Sequence, residues 1–458
     1  MPTRLIRIVM TSPLWIAQRH GQDWEDPDCL AAIAWLTQGL PSRAWSNRME
    51  AVQATFEAAK VRWAQGERVS LFDPADAAAW YVFQARAYAA DREHWFEPEA
   101  YRIVPLFRRI GQLLPQLKPV KGAEDRVVEM MTRYRRQPDD GLYELLVAGA
   151  YRTAGWTDVA CVPAEPGVRR RPDLFVSRGR RSWAAECKRV GRSGYGETER
   201  ARGEEISQAF HAFCRGRDVS LSIQVAFKDE LAAVGASYLA DRAEVFLQNP
   251  RRDSWDDASG AGWIRVVDRR RLDLVLQQDD LFFGSSRMIQ LIEGAYSPSV
   301  QYSLDGSWRP AKDRPFHAAQ VGRVSAVSWL SASEKAQSRK AKHFRKLIRE
   351  AADQLPGDRP GVVHVGYEAF YDDATEALRH ALNHQHIREL DVSSSRLRYV
   401  YANYMAPEHT NDRNESSALT ETTATYPVGN RSTAEPLKHH LLFADAEPSP
   451  GPFWARRR

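Results

Sequence analysis

The sequence predicts a mixed α/β protein. A helical domain comes first, then a mixed-sheet core in the order helix, strand, strand, strand, helix, strand, then a further α/β region. Three observations carry this. Residues 1–137 hold helix-length segments, amphipathic or rich in aromatics, separated by Pro and Gly breaks. Residues 138–227 switch from helical spacing to period-two alternation and back. Beyond residue 228, strand-like and helix-like patterns alternate again. The 458 residues leave room for two to four domains, and a hydrophobic content of 43% is enough to build their cores.

The first helices are expected over Asp28–Gln38, Ser46–Gln65, Pro74–Ala90 and Glu97–Leu117, with their aromatic side chains forming a core. No chemistry is evident there. Such a domain could choose substrate, bind a partner protein or pair with a second copy. Arg4–Ala17 is faintly signal-like, but Thr11, Ser12 and Pro13 interrupt its apolar part.

In the core, Asp140 is placed to cap a helix over Gly141–Ala154, with Gly155 as its stop. Glu144 shares an apolar stripe with Val147, Ala148 and Tyr151. A carboxylate there is costly unless paired or metal-bound, or unless it turns to water near the positive helix N-terminus. Thr157–Pro163 alternates as a strand. Pro172-Asp173 then opens a short apolar strand, Gly179 marks a turn, and Ser182–Lys188 returns. Gly191, Gly194 and Gly196 read as a loop. Thr198 is placed to cap the helix Glu199–Cys214, in which Arg202 and Gln208 read as ordinary helix residues. Ser220–Phe227 closes the core as its last strand.

The chemistry gathers on the hairpin. Side chains alternate along a strand, so Glu186 and Lys188 share a face. Asp173 stands at the other side of the turn, 13 residues earlier. Two carboxylates and an ammonium at one end of a hairpin suit a hard cation such as Mg²⁺ and charge stabilisation on a phosphate. Lysine is scarce, at 11 of the 64 basic residues, and Glu186-Cys187-Lys188 is the one acid-x-Lys in the chain.

This pattern, Pro172-Asp173 followed by Glu186-Cys187-Lys188, resembles the PD-(D/E)XK nuclease superfamily over residues 139–227, under a quarter of the chain. The resemblance implies a restriction-endonuclease-like core at 138–227 and a metal-dependent endonuclease acting on nucleic acid, DNA before RNA. Catalysis would rest on Asp173, Glu186, Lys188 and Glu144. Mg²⁺ or Mn²⁺ would sit on Asp173, Glu186 and Glu144. Many similar proteins act in defence or restriction. The rival readings are a nucleic-acid-binding protein that keeps the fold without hydrolysis, and an interaction scaffold in which the motif is accidental.

Charge agrees with a polyanionic partner. From Arg169 to Arg192 nine basic residues face two acids, a local excess of +7 in a chain whose net charge is +5. Arg169, Arg170, Arg171, Arg180, Arg181, Arg189 and Arg192 are the expected phosphate contacts.

Residues 228–405 are expected to hold the helix Asp229–Gln248, the strands Trp263–Val267 and Arg323–Leu330, and a long basic helix Ser333–Leu355. The strand Gly361–Tyr367, the helix Ala374–Leu390 and the strand Leu397–Met405 follow. This region is either a separate domain or an extension of the core sheet. His380 and His384 stand at i, i+4 without a third ligand nearby, so they read as ordinary helix residues. Residues 406–458 are polar and Pro-rich and read as a poorly ordered tail. Four cysteines without paired spacing fit a reducing cytoplasm, and no apolar run reaches membrane-spanning length.

Overall fold

Two mixed sheets organise the chain in a computed structural model that describes residues 7–10, 14–17, 25–64, 69–90, 94–163, 171–191, 193–312, 314–341, 344–369, 372–391, 395–409, 416–429, 434–444 and 449–455. Among these residues the larger sheet has nine strands. Eight lie in the order Ser449–Pro450, Arg7–Met10, Ser416–Pro427, Leu397–His409, Gly361–Glu368, Arg181–Val190, Leu174–Arg178 and Asp158–Cys161, and Leu14–Ala17 also pairs with Ser416–Pro427. The smaller sheet has the order Gln301–Ala311, Arg314–Ser331, Leu221–Phe227, Gly260–Val266 and Ser254–Asp256, with Leu281–Phe282 beside Arg314–Ser331. The molecule is therefore mixed α/β, as expected. No helix among the described residues is long and apolar enough to cross a membrane.

The expected antiparallel meander forms: Asp158–Cys161 pairs with Leu174–Arg178, which pairs with Arg181–Val190. The strand that completes it is not the expected one. Leu221–Phe227 lies in the smaller sheet, parallel to Arg314–Ser331. The parallel neighbour of Arg181–Val190 is instead Gly361–Glu368, in register from Gly361↔Ala184 to Tyr367↔Val190. Every residue of Gly361–Glu368 is buried, the signature of a central strand covered on both faces. Local pattern cannot choose between two such apolar strands, because the choice rests on pairing over some 170 residues. The helix preceding this strand, Phe344–Gln354, takes the place expected of Glu199–Cys214. The latter forms as the longer helix Gly194–Arg217, capped by Ser193 rather than Thr198, and packs on the smaller sheet. The smaller sheet and its helices thus form an insertion between the motif strand and its parallel partner, and the glycine loop ends at Gly194.

Other boundaries also move. The acid-bearing helix runs Pro138–Thr153, with Gln137 at its cap position, so Asp140 lies in its first turn and does not cap it. The basic helix is two helices, Glu334–Ala341 and Phe344–Gln354. The N-terminal helices form over Pro27–Thr37, Ser42–Ala64, Ala77–Ala90 and Glu97–Gln112, but Arg7–Met10 and Leu14–Ala17 supply strands to the larger sheet. One apolar cluster joins Cys29, Trp80 and Phe107 of this layer to Tyr143, Trp183, Leu437 and Phe443.

The expected disordered tail is a correction. Ser416–Pro427 is an antiparallel strand against Leu397–His409, favoured by the β-branched Thr420, Thr422, Thr423 and Thr425. Leu437, Leu442 and Phe443 are buried, and Glu421 accepts hydrogen bonds from the backbone N–H groups of Leu442 (2.9 Å) and Phe443 (3.2 Å). Polar composition concealed this because the threonines pair across the sheet with apolar and aromatic residues far away in sequence, Thr422 with Tyr404 and Met10 and Thr425 with Tyr401.

Helix Pro138–Thr153 is seated on the sheet by close contact. Gly366 lets the Tyr143 ring lie on the strand, since a Cβ there would stand 2.7 Å from the ring. The Tyr143 hydroxyl donates to Asn403 Oδ1 at 3.0 Å. This fixes the helix turn that carries Glu144.

Phe443→Ala should lower unfolding free energy by about 3–5 kcal/mol, the usual cost of emptying a buried aromatic site. A urea unfolding curve checks this. A loss below about 0.5 kcal/mol, typical of exposed positions, would mean that the segment does not pack.

Candidate active site

Asp173 and Glu186 face each other across the hairpin. The last paired position is Leu174↔Ala185, so the next step along both strands brings the two acids opposite, on one face. The backbone N–H of Cys187 donates to Asp173 Oδ2 at 2.7 Å and holds that carboxyl against the motif strand. Two residues on, Lys188 returns to the face of Glu186. Its Nζ lies 2.5 Å from Glu186 Oε1 and 2.8 Å from Gln354 Oε1, at the end of helix Phe344–Gln354. Asp173, Glu186 and Lys188, separate in sequence, thus meet at one point.

Glu144 reaches the same place from the helix that covers the face of Trp183, Ala185 and Cys187. It is buried and does not face water. Both its oxygens are taken by Arg126: Nε meets Oε2 at 2.6 Å, and Nη2 meets Oε1. A cleft of about 610 Å³ opens over this group. Glu144, Asp173 and Lys188 line it, with Arg126, Arg133, Arg136 and Arg171 around them.

Burial sets the electrostatics. Glu186 is only 1% exposed. Burial, and then the charge of Asp173, push its pKa up to about 8, against the pull of Lys188. Glu144 rises to about 8 for the same two causes, opposed by Arg126. Asp173 is raised by burial, although the Cys187 N–H and Lys188 favour its charged form. Burial alone would lower Lys188, but Glu186 and Asp173 outweigh it and leave the ammonium above its usual pKa. Three desolvated acids therefore compete for too little positive charge: Glu186 and Glu144 hold their protons near neutral pH, and Asp173 is shifted in the same direction.

The donors suit a small hard cation at two of the three acids. Glu186 Oε2 is buried without a hydrogen-bond partner, and Asp173 lies beside it. Mg²⁺ is commonly held by one or two carboxylates, with water and phosphate oxygens completing its shell. Glu144 does not fit as a third ligand, because Arg126 occupies both its oxygens. Accordingly, no group of three or more His, Cys, Asp or Glu among the described residues is arranged to hold a metal.

The arginines expected at phosphates divide. Arg171 lines the cleft. Arg189 is tied into ion pairs with Asp139 (3.4 Å) and Glu368, its side chain 7% exposed, so its charge is already spent. Arg181, at the far end of the hairpin, donates to the carbonyls of Ala434 (3.1 Å) and Glu435 (3.0 Å). The strand places it and its neighbour Arg180 roughly 23 Å from Lys188, at about 3.3 Å per residue. A charge cluster in sequence is split in space because a strand carries its ends apart. Arg169, Arg170 and Arg192 lie outside the described residues.

Other residues arrive unannounced. Arg126, Arg133 and Arg136 belong to the segment that showed no chemistry in sequence, and Gln354 ends a helix read only for its charge. The one available signal was the run Arg133-Tyr134-Arg135-Arg136, a basic stretch with an aromatic inside it. Arg202 and Gln208 are ordinary helix residues, with Arg202 donating to the Val234 carbonyl at 2.6 Å and Gln208 reaching Glu204. Lys340 of the basic helices is buried against Glu199 (3.0 Å) and Asp372 (3.6 Å). His380 hydrogen-bonds the Tyr426 hydroxyl at 2.7 Å.

Comparison with protein-family models, curated proteins and solved structures finds no match.

The raised acids have a thermodynamic signature. Folded Glu186 keeps its proton to about pH 8, whereas the unfolded chain releases it near the ordinary value of 4.5. Between those values the folded state holds more protons, so this group makes stability fall as pH rises through the window. A cation binding the charged acids opposes that fall. In EDTA the melting temperature should drop between about pH 5.5 and 8, and Mg²⁺ should restore more at pH 8 than at pH 5.5. Glu186→Gln should flatten both effects. Thermal melts check this, and an equal Mg²⁺ shift in Glu186→Gln protein would place the binding elsewhere.

Proposed function

We propose that the protein is a divalent-cation-dependent nuclease that hydrolyses phosphodiester bonds in nucleic acid, DNA before RNA. The observation that carries this reading is the meeting of Asp173, Glu186 and Lys188 at one point, with Asp173 and Lys188 lining a cleft rimmed by arginines. The element order around them supports a restriction-endonuclease-like core. A helix, three antiparallel strands, a second helix (Phe344–Gln354) and a parallel strand (Gly361–Glu368) surround the motif, with the last two taken from beyond the expected boundary. A role in defence or restriction rests on the resemblance alone.

Asp173 and Glu186 would hold Mg²⁺ or Mn²⁺, which when bound supplies positive charge to the phosphate. The chain's own residues do the rest. Glu186 and Gln354 fix the Lys188 ammonium from two sides. With its pKa above the usual value, Lys188 is charged at neutral pH. Its task is therefore to hold the attacking water and the developing negative charge, and it does not abstract a proton. Water attacks phosphorus in line and the opposite P–O bond breaks; the water gives up a proton to solvent and the departing oxygen takes one from solvent, so catalysis by the chain is mainly positioning and charge stabilisation. Arg126 holds both oxygens of Glu144, so this acid brings little negative charge to the phosphate. Arg133, Arg136 and Arg171 supply the rim that receives the polyanion.

One observation favours a second reading, a nucleic-acid-binding protein without hydrolysis: the third acid is spent on Arg126, leaving two for a cation. Incubation with plasmid, linear duplex, single-stranded DNA and RNA, each with Mg²⁺, Mn²⁺ or EDTA, separates the two. The nuclease reading expects cleavage with cation and none in EDTA. Asp173→Asn and Lys188→Ala should each slow cleavage by about 10²–10³-fold, the scale of losing one transition-state contact, with circular dichroism unchanged. Binding without cleavage under every condition would favour the second reading.

A further inference from the structure

We propose that the cleft takes an unpaired stretch of nucleic acid and that Tyr134 stacks on a base beside the phosphate placed at Asp173 and Lys188. This rests on the nuclease reading for what lies at the floor of the cleft, but the stacking contact is a separate claim about its wall.

Tyr134 lies in the short segment between helix Ala123–Thr132 and the acid-bearing helix, and it lines the same cleft as Glu144, Asp173 and Lys188. It is 38% exposed, the one aromatic among the large apolar side chains that stand exposed in the described residues. Trp80, Trp183, Tyr143 and Phe210 are almost wholly enclosed, and rings such as Trp45, Trp255 and Trp308 are partly covered, so Tyr134 is the most open ring among the described residues. A ring left at a cleft mouth therefore needs a reason.

Its surroundings supply one. The Arg133 guanidinium lies 5.2 Å from the ring centroid and that of Arg126 lies 5.8 Å away. Arg126 in turn holds Glu144, whose charge bears on Asp173. The ring is thus one residue removed from the acid cluster, with the exposed Arg133 and Arg136 beside it. An aromatic platform inside a positive groove is how single strands are held without sequence readout: arginines track the backbone, and the ring takes whichever base face is offered. In a duplex both faces of a base are already stacked on neighbours, so such a ring has nothing to hold. The cleft volume of about 610 Å³ also falls in the range of pockets that enclose small ligands, about 300–1,000 Å³, and suits a splayed nucleotide. Unpaired DNA and unpaired RNA present the same base face and phosphate, so both are included in the test.

The test is fluorescence anisotropy with the full chain in EDTA, where no hydrolysis is expected. The probes are a labelled single-stranded DNA, the RNA of the same sequence, the DNA duplex, and a single strand carrying abasic sites. Wild type should prefer one or both intact single strands over the duplex. Tyr134→Ala should weaken single-strand binding by roughly 5- to 150-fold, the effect of losing one base–aromatic stack, and Tyr134→Phe should restore it. The abasic strand should bind wild type about as weakly as the intact strand binds Tyr134→Ala. The dependence on salt should stay unchanged in Tyr134→Ala but flatten in Arg133→Ala/Arg136→Ala, because only the latter loses phosphate contacts. Equal single-strand binding by Tyr134→Ala and wild type, or equal losses on duplex and single strand, would overturn the proposal. The two claims fail separately. Tyr134-dependent binding without cleavage in Mg²⁺ would remove the hydrolysis and leave the stack. Cleavage indifferent to Tyr134 would remove the stack and leave the nuclease.

Discussion

The strand Arg181–Val190 is the constraint on which the rest depends. It is hydrogen-bonded on both sides, antiparallel to Leu174–Arg178 and parallel to Gly361–Glu368. One face packs under the helix Pro138–Thr153 and the other under Phe344–Gln354. A strand so enclosed cannot slip by one residue without exchanging its two faces. Such a slip would bring Cys187 to where Glu186 or Lys188 now stands and turn Glu186 and Lys188 into the apolar layer below Tyr143. The register that builds the sheet is therefore the register that builds the site.

That position has an electrostatic cost. A carboxyl at the centre of a sheet loses its hydration, and Glu186 shares the loss with Asp173 and Glu144. Arg126 and Lys188 answer two of the three acids and leave Glu186 Oε2 without a hydrogen bond. A neighbouring group shows the contrast: Arg102, Arg189, Asp139 and Glu368 close on one another in a chain of ion pairs. The first arrangement is short of positive charge, whereas the second sets two arginines against two acids. Functional sites concentrate imbalance of the first kind.

Local chemistry was legible in the sequence, and distant pairing was not. The alternation around Gly179 placed Glu186 and Lys188 on one face opposite Asp173, because strand geometry and a turn are short-range properties. The stripe through Glu144 marked a carboxyl that had to be paired, metal-bound or turned to water, and its actual partner, Arg126, lay on another helix. The strand Leu221–Phe227 was legible as a strand and misplaced in the fold, because its pattern matches that of Gly361–Glu368 and only the three-dimensional arrangement selects the neighbour. Composition misled twice. The tail around Thr420–Thr425 is polar yet forms a sheet, and the arginine cluster from Arg169 to Arg192 is dense in sequence yet divided in space. The rim residues Arg133, Tyr134 and Arg136 went unread, since nothing local ties a turn between helices to a hairpin about 40 residues later.

The central claim is that the two facing carboxyls form a divalent-cation site. Diffraction from Mn²⁺-soaked crystals at a wavelength with strong manganese anomalous scattering tests it most directly. An anomalous peak should lie between Asp173 and Glu186, within roughly 2.0–2.6 Å of an oxygen of each, the range of hard-cation contacts to oxygen. It should vanish in Asp173→Asn protein. Manganese found only at other acids, or absent while Asp173 and Glu186 keep the same geometry, would contradict the account.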